Sequence, residues 1–203
     1  MNAREAVIER RTKETDIRCY LVVDGVGVAQ IDTGLGFLDH LLTALTRFAR
    51  FDLELRCRGD LHIDDHHTSE DCALALGAAL DKALGERAGI ARFGHAYAPL
   101  DEALARAVVD FSGRPFAVID MGLKRDTLGR LDEQGAGQMA TENVPHVLHS
   151  LATAARLTLH VDVLRGDNDH HRAEAAFKAV GLAIRQAMAL DGEDIPSTKG
   201  VLV

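Results

Sequence analysis

The chain has 203 residues, 47% hydrophobic and 27% charged, with 31 acidic against 23 basic side chains and a net charge of −8. That length suffices for one substantial core, burying roughly 70% of the unfolded chain's surface without disulfides or metal, and the composition excludes disorder, collagen and a coiled-coil rod. The acidic excess repels phosphate backbones and anionic lipid and no basic patch offsets it, so neither nucleic acid nor a membrane surface is an expected partner.

Along the chain, β-rich runs come first, over 4–11 and 17–23, and helical patterning follows over 37–49. Phe51 to Arg58 alternates apolar and polar residues strictly, which predicts a strand with one buried face. Arg58-Gly59-Asp60 then turns the chain into a helix over about 67–85. The second half brings β-rich runs over 104–111 and 116–121, then a polar stretch from Gly129 to Asn143 that reads as a mobile loop. A helix over 141–155, an alternating strand from Leu157 to Val163, the turn Arg165-Gly166-Asp167 and a helix over 171–189 complete it. Each half reads strand, strand, helix, strand, helix, with room for one more strand. The expectation is one compact α+β unit, a single domain over 1–203 built from repeats of about 1–90 and 91–203.

Cys19, Cys57 and Cys72 are an odd count without Cys-x-x-Cys spacing, so they suggest reduced thiols rather than a disulfide framework. The charged N-terminal stretch with Arg4, Glu5, Glu9, Arg10 and Arg11 does not read as a signal peptide, and no apolar run approaches the ~18 residues of a membrane span. A cytoplasmic protein is expected.

Ten histidines beside two Tyr and no Trp are the unusual part of the composition, and imidazole is both the commonest metal ligand and the proton carrier of neutral pH. They are not scattered. Asp65-His66-His67-Thr68-Ser69-Glu70 recurs 104 residues later as Asp169-His170-His171-Arg172-Ala173-Glu174, and Gly77, Ala79, Leu80 and Ala83 answer Gly181, Ala183, Ile184 and Ala187. Upstream, His40-Leu41-Leu42 matches His146-Val147-Leu148, at an offset of 106. In a helix the first His and the Glu stand at i and i+4 on one face, whereas the adjacent histidines diverge by about 100°. Adjacent histidines therefore suit two different ions. Duplication then implies two centres, each fed by one His from both helices and one Glu, with His40 and His146 as the natural fourth ligands. Such N₃O sets favour Mn, Fe, Co, Ni or Zn over Ca or Mg. A lone His is usually structural and a lone His-Glu pair usually a solvated ion pair, but two matched copies with matched upstream histidines are hard to obtain that way. His62, His95, His149 and His160 lack the arrangement.

The chain resembles the imidazoleglycerol-phosphate dehydratases. The resemblance rests on Thr12-Lys13-Glu14-Thr15, Gly34-Leu35-Gly36-Phe37-Leu38-Asp39-His40, Asp60-Leu61-His62-Ile63-Asp64-Asp65-His66-His67-Thr68 with Glu70-Asp71, and Arg92-Phe93-Gly94. It continues in Ala98-Pro99-Leu100-Asp101-Glu102-Ala103, Ser112-Gly113-Arg114-Pro115, Asn168-Asp169-His170-His171 with Glu174, and Pro196-Ser197-Thr198-Lys199-Gly200. It implies a ribosomal protein S5 domain 2-like fold, with duplicated β/α halves and a helical layer between two mostly four-stranded sheets. It further implies a hydro-lyase of histidine biosynthesis that uses two Mn2+ ions per active site, in a homo-24-mer with sites between subunits. By analogy one ion takes His66, Glu70, His146 and His170, and the other His40, His67, His171 and Glu174. Glu14 matches the proton shuttle, and Arg92, Arg114, Lys178, Ser197 and Lys199 match substrate-binding positions for the phosphate. Lys178 also stands four residues after Glu174 on the ligand-bearing helix, where a simple helix-stabilising pair is the plain alternative. The chain departs from the family at Ala44, where a Gln is usual, and at Phe48-Ala49, where a His-Gly pair is usual, so substrate contacts from that helix are expected to differ.

The implied reaction removes a carbon-bound hydrogen from the substrate's side chain, with no carbonyl to acidify it. General-base catalysis alone, at ~10²–10⁴-fold, is too small; metals on both ring nitrogens would hold the ring as imidazolate and let its electrons expel the hydroxyl. A dinuclear metallohydrolase and a non-catalytic metal-binding shell are the alternatives. The first wants bridging carboxylates, and the second has no need of Glu14, Arg92, Arg114 or Lys199.

Overall fold

The computed structural model describes residues 3–131 and 137–202. The first half runs β1 (Glu5–Arg11), β2 (Thr15–Val22), β3 (Ala29–Asp32), α1 (Gly36–Ala49), β4 (Asp52–Gly59) and α2 (His66–Leu84). The second runs β5 (Phe93–Leu100), β6 (Ala103–Asp110), β7 (Phe116–Asp120), the short strands β8 (Thr127–Leu128) and β9 (Met139–Ala140), α3 (Asn143–Ala154), β10 (Thr158–Arg165) and α4 (Asp169–Met188). The two main sheets have orders β1-β2-β4-β3 and β5-β6-β10-β7, so the halves share one topology. In each, the last-named edge strand is parallel to its neighbour while the other pairs are antiparallel. A parallel neighbour requires a crossover, which α1 and α3 supply.

The additional strand that each half had room for is β3 in one and β5 in the other. Neither stands out in the sequence: β3 has four residues, and β5 contains Gly94, Ala96, Ala98 and Pro99, residue types poor in strands. Pro99 is tolerated because β5 is an edge. The stretch 129–143, expected as a mobile loop, is flanked by the β8/β9 ladder, with Leu128 opposite Met139, and ends at α3; its residues 132–136 lie outside the described residues.

Strand alternation fills the core as expected. Ile17, Cys19 and Leu21 of β2, Leu53 and Leu55 of β4, Ala105, Ala107 and Val109 of β6, and Leu159 and Val161 of β10 are all buried, the larger ones contributing roughly 1.5–3 kcal/mol each. The three cysteines are buried and unbridged, and burial pushes the Cys19 thiol up to about 12, so it behaves as a small apolar side chain.

The helices interlock the halves. α2 lies on β1 and β2 and packs against α3, while α4 lies on β5 and β6 and packs against α1. Covered on two sides, α4 has no simple apolar stripe: it buries Ala173, Ala175, Ala176, Ala179, Ala183 and Ala187 around much of its circumference. The repeat glycines explain how close these crossings are. A Cβ at Gly77 would stand 2.6 Å from the Leu151 carbonyl oxygen of α3, and one at Gly181 would stand 2.6 Å from the Leu45 carbonyl oxygen of α1. Beyond the α2/α3 crossing, the buried Arg87 guanidinium donates to the carbonyls of Ala155 and Arg156, 2.9 and 3.0 Å away, and pairs with Asp81.

This makes Gly181→Ala diagnostic. In a free helix interior alanine would stabilise by up to ~1 kcal/mol; at this crossing overpacking is expected to win, for a net loss of about 1–2 kcal/mol in urea denaturation. An equal or raised midpoint would contradict the close crossing.

Candidate metal centre and active site

Both ligand helices begin in the same way. Asp64 Oδ1 accepts the backbone N–H of His66 at 2.8 Å, and Asn168 Oδ1 accepts that of His170 at 2.9 Å. The next residues tie each helix start to chain nearby: Asp65 accepts the Ala140 N–H, and Asp169 those of Lys124 and Arg125. The adjacent histidines then diverge, with rings at 76° in His66/His67 and 87° in His170/His171.

The crossings bring two matching triads together. In the first, His66 and Glu70 of α2 meet His146 of α3; in the second, His170 and Glu174 of α4 meet His40 of α1. Within each triad one ligand atom per residue lies within 4.8 Å of the others. His66 stacks on His146 with ring centroids 4.9 Å apart, and His146 Nε2 is 3.3 Å from Glu70 Oε1. His40 Nε2 and His170 Nε2 lie 3.0 and 3.3 Å from the same oxygen, Glu174 Oε2. Each triad is a three-ligand N₂O set on two crossing helices, a donor set that fits a divalent transition ion with coordination positions to spare.

Within the single chain the ligands group differently from the expected partition. His170 was assigned with His66, Glu70 and His146, but it stands with Glu174 and His40, because its i, i+4 relation to Glu174 puts both on the α4 face that crosses α1. His67 and His171, expected beside His40 and Glu174, join neither triad within the chain. Their Nδ1 atoms are held by carboxylates instead, His67 by Asp60 at 3.0 Å and His171 by Glu102 at 2.8 Å. That bond fixes the ring and leaves Nε2 free to ligate, the arrangement in which a carboxylate orients a metal-binding His.

The charges follow from these contacts. The Asp60 bond, with Glu14 nearby, holds His67 above the ordinary imidazole value against the opposing effect of desolvation. Glu102 does the same for His171, and the bond from His171 and backbone N–H groups lower Glu102 itself to about 2. His170 is pushed down, first by desolvation and then by the neighbouring His40, which favours the neutral form that can bind metal. Burial works to raise Glu174, but the bonds from Lys178 and His40 outweigh it and the carboxyl sits below its usual value.

Glu14 stands on the turn between β1 and β2, half-exposed, with Oε1 3.8 Å from His67 Nε2. Lys178 makes the helix pair anticipated as its plain alternative, 2.7 Å from Glu174 Oε1. That leaves Oε2 to the two histidines, while the ammonium also lies over the Phe48 ring. Phe48 thus covers the Lys178 ammonium. Arg92 is bidentate to Asp110 and donates to the Pro196 carbonyl, so it is tied to the C-terminal turn, where Ser197 Oγ accepts the Lys199 N–H at 3.2 Å. Arg114 is exposed beyond β6, its guanidinium 3.4 Å from the Ser112 carbonyl. Among the described residues, no hydrogen bond or ion pair joins Lys178 to Arg92, Arg114 or the C-terminal turn. A cleft of about 520 Å³ lined by Glu102, Lys124, Arg125, Asp169 and His171 opens beside the second histidine pair. Sequence reasoning assigned no role to Asp60 and Glu102. Both lie in quoted motifs, but they come from non-equivalent places, one before α2 and the other in the β5/β6 turn, so the repeat pairs neither with the other. Among the described residues no helix is long and apolar enough to cross a membrane.

Comparison with known proteins gives one family. The model of the imidazoleglycerol-phosphate dehydratase family matches residues 33–184. The Imidazoleglycerol-phosphate dehydratase of Candida glabrata is 53% identical, covering 97% of this chain and 99% of that protein, and that of Schizosaccharomyces pombe is 50% identical over 98% and 100%. The crystal structure of the Staphylococcus aureus enzyme superposes with a TM-score of 0.79 at 33% identity, over 92% of this chain and 99% of that one. The Pyrococcus furiosus structure, in complex with (S)-C348, gives 0.78 at 36% identity, over 96% and 100%.

His146→Ala is expected to halve the divalent metal bound per chain, read by elemental analysis after dialysis, and to leave the α4 triad filled. Undiminished metal would remove His146 from the ligand set.

Proposed function

The chain belongs to the imidazoleglycerol-phosphate dehydratase family, hydro-lyases that dehydrate imidazole glycerol phosphate in histidine biosynthesis, and from that premise we propose how its own residues carry the reaction. The pair of matching His-Glu-His triads is the observation that carries the proposal. Each triad would hold one Mn2+ ion, two per active site. The fourth ligand of each would be His67 or His171 of a neighbouring subunit, since neither ring reaches a triad within its own chain. Sites completed in this way make assembly a condition of activity, and the family's homo-24-mer is the state proposed. The chain would act as one domain of two repeats, in the cytoplasm.

When bound, the ions supply Lewis acidity to the two nitrogens of the substrate ring. The side chains supply the rest. His67 carries Glu14 with it, 3.8 Å from its Nε2, so the subunit that completes a site also delivers the carboxylate that takes the proton from the side-chain carbon next to the one that loses its hydroxyl. The same carboxylate returns a proton to the departing hydroxyl. Lys178, Arg114, Ser197 and Lys199 would bind the phosphate, with Arg92 holding the C-terminal turn in place through the Pro196 carbonyl. A hydrolase with carboxylate-bridged ions fits less well, because Glu70 and Glu174 each belong to a separate triad.

Incubating manganese-loaded protein with imidazole glycerol phosphate is expected to yield imidazole acetol phosphate; assembled, metal-loaded protein without product would end the proposal. Glu14→Gln is expected to keep metal content and particle size while turnover falls ~10²–10⁴-fold. Unchanged turnover would exclude Glu14 as the proton carrier.

A further inference from the structure

Asp71 takes no part in either triad, yet its side chain is only 5% exposed. It follows Glu70 on α2, so it points about 100° away from the triad, towards β1 and β2. There Oδ1 accepts from Arg10 Nη2 at 2.7 Å and Oδ2 accepts from Thr15 Oγ1 at 2.5 Å. A carboxylate this buried is costly unless both oxygens are well bonded, and its two partners both flank the turn that carries Glu14.

That turn is rigid in itself. Thr12 Oγ1 accepts the backbone N–H groups of Glu14 and Thr15, each at 3.0 Å, and the Thr12 N–H donates to the Thr15 carbonyl at 2.9 Å. The β1/β2 and β2/β4 ladders hold the ends of the turn in the sheet, and Asp71 is the buried side chain that ties it to α2. His67 lies four residues before Asp71, on the same face of α2, which is why Glu14 Oε1 comes to 3.8 Å from His67 Nε2. The duplication provides an internal comparison. The residue equivalent to Asp71 in α4 is Ala175, fully buried, and the β5/β6 turn is tied to the start of α4 by its own Glu102 instead, which accepts from the Asp167 and Asn168 N–H groups and bonds His171. A tie made by a buried carboxylate of the helix itself is thus particular to the half whose turn bears Glu14, and it leaves the Glu14 carboxylate unengaged in holding the turn, whereas Glu102 is engaged.

We propose that Asp71 is a positioning residue which, through Thr15 and Arg10, holds the Thr12–Thr15 turn against α2 and so sets the Glu14 carboxylate beside His67 Nε2. The proposal rests on the reading of Glu14 as the proton-transferring group. In Asp71→Asn the side-chain oxygen can keep Arg10, but the charge is lost and Thr15 Oγ1 must turn from donating to accepting, so the strap weakens and the turn loosens from the helix.

The test is steady-state kinetics on the assembled, manganese-loaded protein with imidazole glycerol phosphate. Asp71→Asn is expected to lower kcat ~10²-fold with manganese content unchanged and KM within about twofold of wild type, since ground-state binding is untouched. Placed on Glu14→Gln, the same change is expected to add no further loss, because it acts only through the group already removed. Thr15→Val is expected to reproduce the defect and Thr15→Ser to retain activity, and this pair carries the test alone should Asp71→Asn fail to fold. Wild-type kcat in Asp71→Asn, an additive loss on Glu14→Gln, or a parallel fall in manganese would overturn the positioning role. An inactive Glu14→Gln beside a fully active Asp71→Asn overturns that role only; a fully active Glu14→Gln overturns the assignment of Glu14 and the positioning role together.

Discussion

The contact on which the rest of the structure depends is the close crossing of α2 with α3 at Gly77 and of α4 with α1 at Gly181. Each ligand helix lies on its own sheet but packs against a helix from the other half. The crossing distance therefore decides whether a His and Glu at i, i+4 on one helix can share an ion with a His on another. Each glycine approaches the backbone of the facing helix at these points, and one methyl group would push the helices apart by roughly several tenths of an ångström, more than the ~0.2 Å tolerance of metal–ligand distances. The weak helix propensity of glycine, ~1 kcal/mol below alanine, is offset by what the crossing makes possible.

Charge is arranged around the same geometry. His40, His146 and His170 face carboxylates through Nε2 while His66 Nδ1 bonds Asn143, and His170 is driven towards its neutral form by burial. The two outside the triads are held by carboxylates through Nδ1 and driven the other way. One protein thus presents histidines grouped for a metal within the chain and histidines held apart from those groups. The halves are not electrostatically identical: Glu174 shares its charge with Lys178, whereas Leu74 stands at the corresponding place after Glu70. The net charge of −8 does not oppose an anionic substrate at such a site, where divalent ions and a few placed cations would dominate the local field.

Much of this was legible in the chain. The 104-residue repeat, the strict alternation of Phe51–Arg58 and Leu157–Val163 and the divergence of adjacent histidines each have a period or spacing that geometry converts directly into position. What was not legible depends on tertiary contact. β5 is hidden because it is an edge strand rich in small residues. The grouping of His170 with His40 follows from which helices cross, and nothing in the spacing of the repeat states that α4 meets α1 rather than α3. Asp60 and Glu102 do equal work from unequal places in the repeat, so symmetry could not find them.

The central claim is that the interlocked halves build two metal centres from the helices of one chain. Anomalous diffraction at the manganese edge on crystals of the loaded protein tests it most directly. The account expects two peaks per chain, one within bonding distance of His66, Glu70 and His146 and the other of His40, His170 and Glu174. A single peak, or peaks away from either triad, would contradict it.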